Sequence, residues 1–565
     1  MMKTIDYAKN ELKKYYKSVT GCDDVPIRLV VKKEGNEFDD LIDINVVKGE
    51  GEIKGSNERA VLIGVYKYFY ELGCRFIRPG KDGEIIVKRD AGGCTVVKSY
   101  KPEYRYRGIC SEGAISEENV KDMVEWLPKI GMNSYFVQFV DGHLFFEKWY
   151  AHKESSILKP EEYSVAESRK HYAAVVETIK RCGLIFQAVG HGWTTEPLGY
   201  ITYGDTCSKE EDILPEHREL FAEVNGKRTF FESPGNTQLC YSNPKARDTI
   251  TDGIVNYLKN NPQVDVLHFW LADSMNNHCE CENCKKLLPS EWYVTMLNEL
   301  DAKLTEAGIN TKIVFLIYCD LLFAPQKVTI KNPNRFIMMY APIARDFYHP
   351  LFTGENLKSA NDAPEFAHNH NSHPKTPGQY LYYLKEWQKK VKCDSFVFDY
   401  HLMTFLYGNE PSGIRLSRTI YDDMKGLRLS GLNGEVSCQL QRTFIPTSLP
   451  NYVMAERLFG SERTFEQIED ENLSASFGKQ WIKVKNFLHE LENFYLSDCV
   501  KGKDERKKDP SQIAGFVKKI KSFANEIEFK DDNLTVNLSL YNLKYFVDLQ
   551  IKFFETLLLK EEDKD

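Results

Sequence analysis

The stretch "VLHFWLADSMNNHCECENC", residues 266–284, contains an apolar run that ends at an acidic residue and is followed by a group of cysteines. The run VLHFWLA, bounded by polar residues, is typical of a fully buried β-strand. Asp273 stands at its end, and Cys279, Cys281 and Cys284 follow in the next loop. Whether that loop is a metal site or the edge of an active site depends on the fold that contains the strand.

The same pattern of a short apolar run followed by a helical stretch recurs from residue 101 to about 445. Parallel strands need helix-length connections of this kind, and eight of them close a (β/α)8 barrel. We therefore predict an α/β protein with a central (β/α)8 TIM-type barrel. Its strands are predicted at 104–109, 134–139, 184–190, 266–272, 312–318, 335–341, 395–401 and 432–438.

The chain on either side of the predicted barrel has a different pattern. Residues 1–100 give short strand-like runs around one clear helix, "NERAVLIGVYKYFYELG", which predicts a small α/β domain. Residues 446–565 contain amphipathic helical stretches without strands, which predicts a C-terminal helical domain. The barrel, residues 101–445, is then the catalytic domain of a three-domain protein.

The composition is that of an ordinary globular protein with 42% hydrophobic residues, 28% charged residues and a net charge of −8. Without a basic excess we expect neither nucleic acid nor an anionic membrane as a partner. No apolar core of signal-peptide length opens the sequence, so we expect a cytoplasmic protein whose cysteines are mostly reduced. A homo-oligomer is compatible with these features.

Polar and aromatic side chains follow most of the predicted strands, where a barrel of this type presents its active site. The first strand leads to Glu112. Three later strands carry the carboxyl groups that we take as candidate catalytic residues: Asp273, Asp399 and Glu435. We expect these three to line one pocket. The candidate substrate-binding residues near the same strand ends are His191, Trp193, Trp270, Asn276, Tyr340, Arg345, Tyr400 and His401.

Carboxyl groups between aromatic rings are what carbohydrate chemistry requires. One carboxylic acid protonates the leaving oxygen, and a second group stabilises positive charge at the anomeric carbon. Structural roles remain open for the same residues. Asp273 could cap the turn that follows it, Asp399 could be a satisfied buried polar group, and Arg345 could pair with Asp346.

Several segments also resemble a known family. "ERAVLIGVYKYFYELGCRFIRPGKDGEII", "KPEYRYRGI", "NTQLCYSNPKARDTI" and "WLADSMNNHCECENC" are similar to domain-of-unknown-function family 4838, over roughly residues 40–445. That family resembles glycoside hydrolase family 163 and, more distantly, family 20 hexosaminidases and family 67 α-glucuronidases. The resemblance implies a hexosaminidase-type N-terminal domain before a catalytic barrel.

In family 163 the resemblance also implies an endo-acting N-acetylglucosaminidase that uses the acetamido group of its own substrate. Family 20 ends its fourth strand with adjacent Asp and Glu, whereas this chain has Asp273 followed by Ser274. The acetamido mechanism is therefore not secured by the motif. We expect a glycosidase that acts on an N-acetylhexosamine-containing oligosaccharide or glycoconjugate.

Two other functions remain open at this stage. One is a glycosidase for uronic acids, in which Arg345 would face the pocket as the partner of the substrate carboxylate. The other is a carbohydrate-binding barrel without catalysis. Binding of oligosaccharides without turnover would favour the second.

The cysteines favour a scaffold role for the loop after Asp273. Two separated Cys-x2-Cys pairs are the strong signal for zinc, and here only Cys281 and Cys284 form one. With Cys279, a fourth ligand from elsewhere, such as Cys240 or His278, would complete a structural zinc site. The chemistry itself requires no cofactor.

Overall fold

The structure, a computed structural model, describes residues 2–112, 115–138, 143–152, 155–204, 207–403, 410–441, 443–496 and 509–562. Its centre is a closed barrel of eight parallel strands, which confirms the predicted fold class. Residue 139, the last of the predicted second strand, lies outside the described residues. In chain order the barrel strands are Tyr106–Glu112, Ser134–Val137, Ile185–Ala188, Val266–Phe269, Lys312–Ile317, Phe336–Tyr340, Asp394–Leu402 and Gly434–Leu440.

Strand alternation divides the barrel side chains between two environments. The interior is filled by one apolar cluster, to which Phe136, Trp270, Phe398 and Cys438 belong. Neighbouring strand residues such as Val397 point outward and join the larger core between barrel and helices. The position of a residue along its strand therefore decides whether its side chain faces the interior or the helices.

Helices cover the outside of the barrel. Ser116 caps the first of them by accepting a hydrogen bond from the backbone of Asn119 at 3.1 Å, and Gly131 ends the turn that follows with φ of 85°. The helices that follow barrel strands are Glu117–Trp126, His143–Tyr150, Val165–Arg181, Pro244–Asn260, Pro289–Glu306, Gly354–Lys358, Pro377–Lys390 and Ile414–Gly426.

The N-terminal region is a four-stranded sheet with two helices. Along the sheet the strands are Ile27–Val31, Glu50–Gly55, Ile42–Val47 and Val96–Tyr100, and the helices are Thr4–Thr20 and Glu58–Glu71. Buried Asp40 joins this region to the barrel, because it pairs with Arg59 at 2.9 Å and with Arg107 of the first barrel strand at 2.6 Å.

The C-terminal region is helical, as predicted. Its helices are Leu449–Phe459, Phe465–Phe477, Trp481–Leu496, Pro510–Asn525 and Leu534–Glu562. They also contact the N-terminal region, since Glu471 pairs with Arg75 at 2.8 Å and the hydroxyl of Thr535 donates to the carbonyl of Glu84 at 3.0 Å. Among the described helices, none combines the length and the apolar character that a membrane span requires.

Candidate active site at the barrel mouth

Four strands deliver polar side chains to the carboxyl-terminal mouth of the barrel. Glu112 ends the first strand, two residues after the interior-facing Cys110. His191, Asp273 and Tyr318 follow the third, fourth and fifth strands. All four side chains are half-buried. The site is therefore a cleft whose polar groups are shielded from water but accessible from the mouth.

Asp273 is held by bonds from two different strand ends. Its Oδ1 accepts a hydrogen bond from the backbone N–H of Ser274 at 2.8 Å and from the hydroxyl of Tyr318 at 3.0 Å. Its own N–H donates to the carbonyl of Gly235 at 3.0 Å. The bond from Ser274 is the turn cap that the sequence allowed, but Tyr318 adds a fixed orientation toward the mouth.

Glu112 lies within electrostatic reach of Asp273. The side chains of Cys438 and Gln138 lie beside its carboxylate and favour its charged form. Burial raises the pKa of Glu112 above its ordinary value, and the negative charge of Asp273 adds to this effect. The two neighbouring side chains oppose the shift without cancelling it. Glu112 thus retains a proton at higher pH than an exposed glutamate.

Aromatic rings surround these carboxyl groups. His191 packs edge-on against Trp270, with ring centroids 4.8 Å apart, and against Tyr203 at 5.6 Å. Burial lowers the pKa of His191, while Asp273 acts in the opposite direction. The indole Nε1 of buried Trp270 has no hydrogen-bond partner among the described residues. Burial raises the pKa of interior Tyr400, and the charges of Glu112 and Asp273 add to this shift. Tyr400 therefore belongs to the same site.

The backbone around the mouth is strained. Val189, Ser274 and Cys319 have φ of 53°, 75° and 48°, which is a costly region for residues other than glycine. Each of the three lies within two residues of His191, Asp273 or Tyr318. Strain of this kind persists where the surrounding structure enforces it, and it concentrates at functional sites. It is independent support for a site at this mouth.

Asp399 and Glu435 do not share this pocket, which corrects the prediction that they line it with Asp273. Their neighbours Phe398, Tyr400 and Val436 face the barrel interior, so Asp399 and Glu435 face outward to the helices. The physical reason is that side chains alternate between the two faces of a strand, so a shift of one residue moves a side chain from the interior to the helix-facing side.

Arg345 and His401 lie in the same outward network, together with Asp423 of the helix Ile414–Gly426. Arg345 pairs with Asp399 at 2.9 Å and with Asp423 at 2.6 Å, and Nε2 of His401 lies 3.1 Å from Asp423. Arg345 therefore does not face the pocket. Its Nη1 donates to the backbone carbonyl of Asp346 at 3.4 Å, and its carboxylate partners are Asp399 and Asp423. Its guanidinium already supplies the positive charge that this acidic cluster needs.

The pKa values of Glu435 and His401 in this buried network are displaced. Burial raises the pKa of Glu435 to about 7, with Asp399 and Asp423 adding to the effect and His401 opposing it. Burial alone would lower the pKa of His401, but Asp399, Asp423 and Glu435 raise it to about 9. These shifts belong to a network whose side chains are buried.

Three further candidates have structural roles, contrary to expectation. Trp193 is buried in the outer core and donates to the carbonyl of His268 at 2.9 Å. Tyr340 faces outward and donates to the carbonyl of Tyr380 at 2.9 Å. The side chain of Asn276 exchanges two hydrogen bonds with the backbone of Asn371. Neither periodicity nor spacing distinguishes these roles from substrate binding.

The structure also adds residues that the candidate set lacked. Glu112 is recognisable as a polar residue at a strand end. Tyr318 carries the same signal, as it follows the fifth strand. Tyr203 comes from a long loop after the third strand, and no sequence pattern points to it.

The predicted metal ligands come together. The sulfur atoms of Cys240, Cys279, Cys281 and Cys284 all lie within 4.8 Å of one another. Cys240 is thus the fourth member of the group. His278 instead lies beside Asp320, 3.8 Å from its carboxylate.

Comparison with known proteins identifies a family and a shared fold. A family profile described as "Domain of unknown function (DUF4838)" matches residues 161–488. No curated protein matches the chain. A family 89 glycoside hydrolase from Clostridium perfringens, solved in complex with its substrate GlcNAc-α-1,4-galactose, matches with 10% identity and a TM-score of 0.54 over 96% of this chain and 60% of that chain.

A second structure of a family 89 enzyme from the same organism, in complex with PUGNAc, matches with 10% identity and a TM-score of 0.54 over 99% of this chain and 64% of that chain. This chain therefore spans about three fifths of the length of these solved structures. At this identity the likeness establishes a common fold.

Proposed function

Because this chain belongs to the DUF4838 family and presents two carboxyl groups at its barrel mouth, we propose that it is a glycoside hydrolase acting on an N-acetylhexosamine-containing oligosaccharide. The observation that carries the proposal is the placement of Glu112 and Asp273, from the first and fourth strands, around one cleft with aromatic walls. Two carboxyl groups in unequal environments are the arrangement that acid-assisted glycoside cleavage uses.

Glu112 is the proposed general acid. Its burial-raised pKa keeps the carboxyl group protonated to higher pH than in an exposed glutamate, and the protonated form can donate its proton to the leaving oxygen as the glycosidic bond breaks. Gln138 and Cys438 lie beside the carboxyl group of Glu112 and restrict its position. This assignment replaces Asp399 and Glu435 in the acid role.

Asp273 is the proposed second carboxylate. Positive charge develops at the anomeric carbon in the transition state, and a fixed carboxylate stabilises it electrostatically or orients the acetamido group that attacks this carbon. The bonds from Ser274 and Tyr318 fix Oδ1, and among the described residues Oδ2 accepts no hydrogen bond, so we assign this oxygen to the substrate. Trp270 and Tyr400 supply apolar faces for the sugar ring.

The choice of an N-acetylhexosamine over a uronic acid rests on Arg345. A uronic-acid enzyme needs a cation in the pocket to pair with the substrate carboxylate. Arg345 is committed to Asp399 and Asp423 outside the pocket, so this cation is not the one that the uronic-acid hypothesis requires. The bound GlcNAc-α-1,4-galactose of the family 89 structure makes α-linked N-acetylglucosaminides the substrates to test first.

The test is hydrolysis of aryl and natural N-acetylhexosaminides by the purified chain and by Glu112→Gln. We expect turnover by the native chain and a loss of at least about 100-fold in the variant, the usual scale for a general acid. Oligosaccharide binding without turnover by the native chain would favour a non-catalytic barrel, and equal turnover by both proteins would refute the acid assignment.

A further inference from the structure

The four clustered cysteines have the spacing of a tetrahedral metal shell. Sγ of Cys240 lies 3.7 Å from Sγ of Cys281 and 3.8 Å from Sγ of Cys284. Four thiolates around a zinc ion at a Zn–S distance of about 2.3 Å are separated by about 3.8 Å. A disulfide would bring two sulfurs to about 2.05 Å. The observed separations therefore fit ligands of one ion and not a cross-link.

The surroundings of the sulfur atoms fit thiolates. Backbone N–H groups of Glu223, Ser242 and Cys284 point at Sγ of Cys279, Cys284 and Cys281, at 3.3, 3.4 and 3.4 Å. Donors directed at sulfur stabilise the negative charge that metal ligands carry.

A positive side chain completes this environment. The guanidinium of Arg228 lies close to Cys240 and also pairs with Glu223 at 3.2 Å. A shell of four thiolates around a divalent ion keeps two negative charges, and Arg228 offsets part of them. Arg228 is itself fixed, because it donates to the carbonyl of Phe221 at 2.6 Å.

We propose that Cys240, Cys279, Cys281 and Cys284 bind one Zn²⁺ ion, and that this ion positions the segment that carries Asp273. Four thiolates fill a tetrahedral shell, so no coordination position is left for water or substrate. The ion is a structural element of the fold and takes no part in the chemistry.

Two cysteine-bearing segments connect the proposed ion to Asp273 through few hydrogen bonds. Two residues before Cys240, the buried side chain of Gln238 bonds both the N–H and the carbonyl of Ala272 at 3.3 Å. Two residues before Cys279, the amide of Asn277 donates to the carbonyl of Asp273 at 2.8 Å. Gln238 also donates to Asn277 at 3.3 Å. The ion would thus tie together two loops that meet around Asp273.

A second group of potential metal ligands among the described residues does not support a metal site in the same way. Asp399, His401 and Asp423 also lie close enough to hold an ion. Arg345 already contacts both of the carboxylates there, at 2.9 and 2.6 Å. A cation would have to displace this guanidinium, so we propose no ion at this second cluster.

The first experiment measures metal content of the native chain and of Cys281→Ser, with Cys22→Ser, an exposed cysteine outside the cluster, as matched control. We expect about one zinc ion per chain in the native protein and in the control, and loss of that ion in Cys281→Ser. Cobalt substitution of the native protein should give the charge-transfer absorption of a tetrahedral thiolate site. Folded protein that contains no metal and takes up none would overturn the proposal, and iron in place of zinc would overturn the choice of ion.

The positioning role is tested on the native chain, so a variant that fails to fold does not affect the result. After removal of zinc by a chelator, hydrogen exchange at the amides of Ala272 and Asp273 should accelerate by at least about tenfold, whereas amides of the helix Phe465–Phe477 should be unchanged. Unchanged exchange at Asp273 after loss of the ion would contradict positioning. Because neither readout uses turnover, failure of the glycosidase proposal would leave this result intact.

Discussion

The hydroxyl of Tyr318 donates to Oδ1 of Asp273 at 3.0 Å, so the ends of the fourth and fifth barrel strands are joined at a carboxylate. Both residues adjoin strained backbone, at Ser274 and Cys319. A turn cap alone would need only the bond from Ser274. The second bond fixes the carboxylate relative to the barrel, which is the preorganisation that charge stabilisation in a transition state requires.

Asp273→Asn should reduce turnover by about 100-fold or more, because the amide keeps the shape but not the charge that stabilises the transition state. Its Oδ1 can still accept from Ser274 and Tyr318, so we expect little change in the thermal midpoint. Steady-state kinetics and thermal denaturation measure the two effects. Asp362→Asn, at an exposed position, is the matched control. Full activity of Asp273→Asn would mean that the turn-cap role is the whole role.

Asp399→Asn should lower stability rather than catalysis. The substitution removes one of the two carboxylates that pair with buried Arg345, and breaking a buried ion pair costs about 3–5 kcal/mol. Chemical denaturation measures this loss, and kcat of the folded fraction should remain within about twofold. Glu386→Gln, which breaks the exposed pair with Lys389, should cost no more than about 1 kcal/mol. A selective loss of kcat in Asp399→Asn would show that Asp399 takes part in catalysis.

Glu435→Gln should become more stabilising as the pH rises. The pKa of Glu435 is about 7 in the folded protein, above the ordinary 4.5, so the native carboxyl group destabilises the fold progressively from pH 4.5 to 7. Glutamine has no such cost, and the difference in thermal midpoint between variant and native protein should grow across that window.

His401 contributes to stability in a neighbouring pH range. With a folded pKa of about 9, its stabilising effect is complete below pH 6.5 and is lost as the pH rises to 9. In Glu435→Gln this loss should begin at lower pH, because a negative neighbour of the imidazolium is gone. A pH-independent difference between the two proteins would show that Glu435 is not buried as described.

The barrel was predictable because its signals are local. Each apolar run, its length and the helical stretch after it reflect short-range periodicity, and the closed topology follows from their number. Asp273 was identifiable for a similar reason, because it stands at a strand end. Cys240 was one of two example ligands beside His278, and it is the fold that brings its sulfur to the other three cysteines.

The face of each strand was not predictable in the same way. Asp399 and Tyr400 are adjacent in sequence, yet one faces the helices and the other the cleft. In a parallel barrel both faces are apolar, so hydrophobic alternation does not identify the inner one. Arg345 shows a related limit, because its partners Asp399 and Asp423 are 54 and 78 residues away. Long-range pairing of this kind leaves no periodic signal.

Glu112→Gln gives the sharpest test, because it separates proton donation from every other role of the site. If Glu112 donates the proton, activity of the native enzyme falls as the pH rises through its raised pKa, since only the protonated form is competent. The variant should lose that alkaline limb together with most of its turnover.

The leaving group provides the control for this interpretation. A dinitrophenyl glycoside leaves without protonation, so Glu112→Gln should cleave it nearly as fast as the native enzyme, while a natural glycoside suffers the full loss of about 100-fold or more. Asp273→Asn should impair both substrates, because charge at the anomeric carbon develops with either leaving group. Equal losses on both substrates in Glu112→Gln would assign Glu112 to charge stabilisation and require another acid at this mouth.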